Sequence, residues 1–141
     1  MVELLTLDSS VLVAALREAE EKHQICQVLF QRIVEGECLA IEPYSVLVEV
    51  VAAVKRRTGD LSFAQKVRKD LLQIETITFE ELLKFRAEKA CKIAEKIGIR
   101  GMDALVVQIA KENNCPLITL DRELMERVKS EVKVKQAEDL I

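Results

Sequence analysis

Residues 103–121 read DALVVQIAKENNCPLITLD. The first half is helical in pattern. Asp103 stands in an opening turn near Met102, above Val106, Val107 and Ala110, and the pattern fades at Asn113-Asn114. Pro116 then opens a mostly apolar run, Leu117–Leu120, which ends in Asp121. A strand with no polar alternation is buried on both faces, as strands of a parallel sheet are. Asp121 starts another short helix, to about Lys129. Helix, buried strand and helix in succession mark a layered α/β protein.

The same grammar runs outward from this stretch. ELLTLD at 3–8 is a second continuous apolar strand, with Ser9 or Ser10 placed to cap a short helix. A helix is expected over 20–35, stopping near Gly36, and then a short strand over Cys38–Ile41. Pro43 fits the first turn of a helix that runs to about Arg57 and ends before Gly59. Asp60 or Ser62 can cap a helix through residue 73, and 74–79 alternates like a half-buried edge strand. A long helix is expected over 80–97, closed by Gly98. Val132 and Val134 alternate with lysines as a second edge strand. Strands separated by helices, with the two most apolar strands central, give an α/β fold with a central parallel sheet. The reading is one domain over residues 1–141, without linker or repeat.

Four acids interrupt apolar sequence: Asp8, Glu49, Asp103 and Asp121. Asp8 and Asp121 each end a strand, and open parallel sheets bind ligands beyond their strand carboxyl ends. Both follow Thr-Leu, so Thr6 and Thr119 share a face with Asp8 and Asp121 respectively if the strands stay extended. Glu49 lies at the margin of the stripe formed by Val46, Leu47, Val50, Val51 and Val54. Taken singly, each acid has a structural reading, as a helix cap or a solvated group. Together they carry more weight, because three of the chain's six aspartates occupy these positions. Convergent carboxylates repel unless a cation lies between them. Oxygen donors without His or Cys suit a hard cation, Mg²⁺ or Mn²⁺. Such ions serve phosphodiester hydrolysis.

Composition excludes several alternatives. Half of the 141 residues are apolar, enough for a core, yet no run has the length of a membrane span. No signal-peptide order is seen at the start, so a cytoplasmic location is expected. Cys26, Cys38, Cys91 and Cys115 lack CxxC spacing and read as reduced, buried thiols. His23 is the one histidine and reads as a solvated helix residue, which leaves little room for Ser/His or Cys/His catalysis. The net charge of −3 argues against broad nonspecific nucleic-acid binding. Local basic clusters at 55–57, 66–69 and 84–92 read first as solvated helix faces. A phosphotransfer role for Asp8 would want a second Asp two residues on, where the chain has Ser10.

At these residues the sequence resembles the PIN-domain family, and within it the small VapC-type toxins. The resemblance is carried by the apolar strand ending in Asp-Ser-Ser at Asp8, by the Pro-x-Ser-x-x-x-x-Glu helix with Glu49, and by the 103–121 stretch. It implies a three-layer α/β/α sandwich and a Mg²⁺- or Mn²⁺-dependent endoribonuclease acting on RNA. Asp8, Glu49, Asp103 and Asp121 would be the acidic quartet, with Thr119 supporting them. It also implies a homodimer and an antitoxin protein partner. A PIN-like RNA- or protein-binding module without turnover is the alternative. Broad apolar arcs, notably Leu61, Phe63, Val67, Leu71 and Leu72, suit a self-association surface.

Overall fold

The structure, a computed structural model, describes residues 2–141. Its strands are β1 (Glu3–Leu7), β2 (Cys38–Pro43), β3 (Ile77–Glu80), β4 (Leu117–Ile118) and β5 (Val134–Lys135). They form one five-stranded sheet in the order β3-β2-β1-β4-β5, and every pairing is parallel. The apolar ELLTL strand is central, as its lack of alternation requires.

The helices are α1 (Ser9–Leu16), α2 (His23–Val34), α3 (Tyr44–Thr58), α4 (Leu61–Gln73), α5 (Lys84–Ile97), α6 (Gly101–Glu112) and α7 (Arg122–Val128). Right-handed crossovers carry α1 to α4 over one face of the sheet and α5 to α7 over the other. This is the expected three-layer α/β/α architecture. α6 lies on β1 and β2 with α5 packed over it, and α1 packs on α2 and α3. α3 also touches α6, so the two helix layers meet beyond the strand ends. The chain order reverses between β1 and β4, which makes their carboxyl ends the topological switch point.

Several boundaries differ from the sequence reading for identifiable reasons. Pro43 completes β2 and caps α3 with an extended backbone (φ −74°, ψ 150°), and does not enter the helix. The edge strand starts at Ile77 and not at 74, because Ile74 still caps α4 and accepts the Ile77 N–H. α5 starts at Lys84, after a turn in which Leu83 N–H bonds the Glu81 carbonyl. β4 stops at Ile118, two residues early, because the following residues turn toward Asp8. Gly98 ends α5 at φ +76°, a left-handed conformation that glycine adopts without strain. The short turn after it delivers Arg100 and Asp103 to the switch point.

Two sequence expectations need correction. Cys26, Cys38 and Cys115 are buried free thiols, but Cys91 is exposed. His23 is half-buried and its Nδ1 lies 2.8 Å from the Ala14 carbonyl, tying α2 to α1. Among the apolar residues of α4, Val67 and Leu71 belong to the core, whereas Leu61 and Leu72 stay exposed.

Candidate metal centre

Asp8 follows β1 directly. Its backbone N–H donates to the Ile118 carbonyl at 2.8 Å, continuing the pairing with β4. Its carboxylate is 6% exposed and accepts two hydroxyl protons on Oδ2, from Ser10 at 2.7 Å and Thr119 at 2.9 Å. Oδ1 is free of protein donors in that pattern. Thr119 Oγ1 also accepts the Asp121 N–H at 3.1 Å, and Ser10 Oγ accepts the Leu120 N–H at 3.2 Å. The residues after Ile118 thus exchange ladder bonds for bonds to the Asp8 neighbourhood.

The two Thr-Leu-Asp triplets therefore behave differently. Thr119 serves the Asp8 carboxylate across the sheet. Thr6 turns away and donates to the Ile41 carbonyl at 2.8 Å, so it orients no acid.

Glu49 reaches the site from the half-buried margin of α3. Burial raises its pKa, the Asp8 and Asp103 charges raise it further, and Arg100 and Ser9 oppose them. Asp103 stands in the first turn of α6. Its pKa is also raised by burial, with Asp8 and Asp121 adding to the effect and the Arg100 hydrogen bond opposing it. That bond, from Arg100 Nε to Asp103 Oδ2, measures 3.2 Å. Asp121 caps α7, accepting the Leu124 N–H on Oδ1 at 3.1 Å. Four elements on three layers thus bring four acids into one electrostatic group at the switch point.

Glu42 is the residue that sequence reading missed. It is fully buried, accepts the Leu7 N–H on Oε2 at 2.7 Å, and leaves Oε1 without a partner. Burial pushes its pKa well up, and the nearby Asp8 charge adds to this. The signal was a glutamate inside the apolar run CLAIEP, one residue before the proline. Arg100, three residues before Asp103, also escaped notice.

Among the described residues no three carboxylate, imidazole or thiol groups form a ready-made coordination shell. Like charges in partial burial hold apart, and Arg100 occupies Asp103. The donor chemistry nevertheless fits a hard divalent cation. The acids supply oxygen only, Asp8 keeps an oxygen free, and Glu49 and Asp103 both show the carboxylate repulsion that a cation would relieve.

The PIN-domain family model matches residues 5–131, most of the chain. The chain belongs to the PIN-domain family. Solved structures agree in fold. This PIN domain superposes on VapC20 of Mycobacterium tuberculosis, a sarcin–ricin-loop-cleaving toxin, with a TM-score of 0.74 at 15% identity, covering 86% of this chain and 93% of that one. PAE2754 of Pyrobaculum aerophilum gives 0.67 at 22% identity, with 99% and 86% covered. VapBC2 of Rickettsia felis, solved bound to a DNA fragment from its promoter, gives 0.67 at 14% identity, with 94% and 98% covered. At these identities the likeness is one of fold. No curated protein sequence matches the chain.

Proposed function

We propose that this PIN domain is a Mg²⁺- or Mn²⁺-dependent endoribonuclease and the toxin of a toxin–antitoxin pair. The single observation that carries the reading is the convergence at the switch point, where Thr119 ties Asp8 to Asp121 and the charges of Asp8 and Asp103 act on Glu49. In this reading Asp8, Glu49, Asp103 and Asp121 hold the cation. Bound there, a divalent ion supplies a water of lowered pKa and neutralises charge on the phosphoryl oxygens. The protein's own part is positional. Ser10 and Thr119 fix the Asp8 carboxylate, Asp121 is held by its capping bond to α7, and Glu49 and Asp103 approach from opposite helix layers.

Without a cation the site repels a phosphodiester. Each unscreened pair of unit charges at roughly 4 Å costs about 1–4 kcal/mol at effective dielectrics of 80 to 20. A protein antitoxin partner is supported by the solved relatives that are toxin–antitoxin complexes, among them one from Klebsiella pneumoniae. A cytoplasmic location suits the four free thiols and an RNA substrate. A homodimer is supported by exposed apolar side chains such as Val48, Leu61, Leu72 and Leu82.

The test is cleavage of single-stranded RNA by purified protein with chelator, and with Mn²⁺ or Mg²⁺ restored. Chelator should abolish cleavage and the ions should restore it. Undiminished cleavage in excess chelator, with contaminating nucleases excluded, overturns the reading. RNA binding without turnover in either ion would favour the association-only module.

A further inference from the structure

The acid group opens into two clefts of different chemistry, and Arg100 and Asp103 line both. The cleft toward α5, about 540 Å³, is walled by Ala87, Ala90, Cys91, Ala94 and Met102. The cleft toward α7, about 430 Å³, holds Arg100 and Arg127 together with Asp103, Asp121 and Glu123. We propose that the α7 cleft is a phosphate subsite, in which Arg100 and Arg127 bind a backbone phosphate of single-stranded RNA beside the phosphate that meets the acids. The proposal rests on the nuclease reading above and deepens it.

Planar guanidinium forks match phosphate oxygens two at a time. Both arginines keep donors to spare. Arg100 is 82% exposed and bonds Asp103 through Nε alone. Arg127 is 48% exposed, and its partner Glu123, at 3.5 Å, is 79% exposed, a pair of little strength. Arg127 Nη1 also leans on the Gly98 carbonyl at 3.4 Å, which carries the side chain from α7 toward the turn before Arg100.

Charge makes the subsite conditional. Two arginines against Asp103, Asp121 and Glu123 leave the cleft with one net negative charge. A divalent cation held among the four acids adds two positive charges beside the cleft, and draws Asp103 away from Arg100. The cleft then accepts an anion, so cation and polynucleotide should each tighten the binding of the other. The lysine-rich cleft on the far side of α5 lacks this property. There Glu131 already bridges Lys96 and Lys111, and Glu112 is held by Arg86.

The experiment is fluorescence anisotropy of a labelled 2′-O-methyl single-stranded oligonucleotide, which is not cleaved, across a salt series with Mn²⁺ and with chelator. Wild type should bind more tightly with Mn²⁺. Arg127→Gln should weaken Mn²⁺-supported binding about tenfold, as loss of a charged hydrogen-bonding partner does. It should also lower the slope of log K against log salt by about 0.7, the value for one lost single-strand phosphate contact. Arg127→Lys should keep the slope and lose part of the affinity. Arg127→Gln should not weaken calorimetric Mn²⁺ affinity without oligonucleotide, since it takes a positive charge out of the cleft, and Arg57→Gln on α3 should change nothing. Unchanged affinity and slope in Arg127→Gln, with wild-type Mn²⁺ dependence intact, overturns the subsite and leaves the nuclease reading standing. Wild type that neither binds Mn²⁺ nor cleaves RNA with it overturns the nuclease reading itself.

Discussion

The Thr119 hydroxyl donates to the Asp8 carboxylate at 2.9 Å, across the junction of β4 and β1. The same oxygen accepts the Asp121 N–H. One fully buried threonine therefore fixes two of the four acids relative to each other. The arrangement goes with the early end of β4, where the Leu120 N–H donates to Ser10 Oγ in place of a ladder carbonyl.

Thr119→Val should lower stability by about 1 kcal/mol, because it leaves the part-buried Asp121 N–H without its acceptor and Asp8 with one donor fewer. It should also weaken Mn²⁺ binding. Thr119→Ser, which keeps the hydroxyl, should recover most of both. Thermal melts and calorimetric Mn²⁺ titration separate the effects. Wild-type Mn²⁺ affinity in the valine variant would reduce Thr119 to a purely structural role.

Asp8→Asn and Asp103→Asn should each remove most RNA cleavage while the fold persists. In chelator, Asp8→Asn should melt at or above wild type, since one of four repelling charges is gone. Its stabilisation by saturating Mn²⁺ should shrink, because only native-state binding stabilises by mass action. Asn can still bond Ser10 and Thr119, whose hydroxyls rotate. A clear loss of metal-free stability with an unchanged Mn²⁺ shift would make Asp8 a hydrogen-bond acceptor outside any metal site.

Much of this was legible because the acids break strong apolar patterns. Asp8 and Asp121 each close an apolar run, and Glu49 and Asp103 sit on helices whose periodicity is clear. The central strands could be read for the same reason. The short edges were harder. β3 and β5 are held by neighbours more than by their own sequence, and turn bonds at Ile74 and Leu83 moved the boundaries. Glu42 was hidden because a lone glutamate before proline reads as a surface turn. Only the packing of β2 against β1 reveals it as a substitute for a ladder carbonyl at Leu7. Arg100 carries no sequence signal apart from its spacing to Asp103.

Thiol chemistry should distinguish one cysteine from three. Cys91 is exposed, whereas Cys26, Cys38 and Cys115 are buried, with burial raising the Cys26 thiol to about 11. A thiol-reactive reagent at neutral pH should label one equivalent quickly in the native protein and four after denaturation. Cys91→Ser should abolish the fast phase. Rapid labelling of two or more thiols in the native state would contradict the packing of α2, β2 and the turn before β4.

Glu42 makes the sharpest statement about pH. In the metal-free protein the carboxyl groups of Glu42, Glu49 and Asp103 hold their protons above their ordinary range, chiefly through burial. The native state then binds protons more tightly than the unfolded chain. The associated stability is present in full below the unfolded carboxyl pKa of about 4, and is lost as pH rises through the raised folded values. The share of stability contributed by these three groups should therefore fall as pH climbs from about 4 toward neutrality. Glu42→Gln keeps a carbonyl oxygen for the Leu7 N–H and carries no charge. It should match wild type at the acid end and exceed it increasingly as pH rises. Glu42→Leu removes the acceptor and should lose about 1–3 kcal/mol even at the acid end. Denaturant titrations of the three proteins in chelator, from acid to neutral pH, measure these differences. Parallel curves for wild type and Glu42→Gln would mean that Glu42 ionises without penalty in the native state, and that its burial beside Asp8 has no electrostatic consequence.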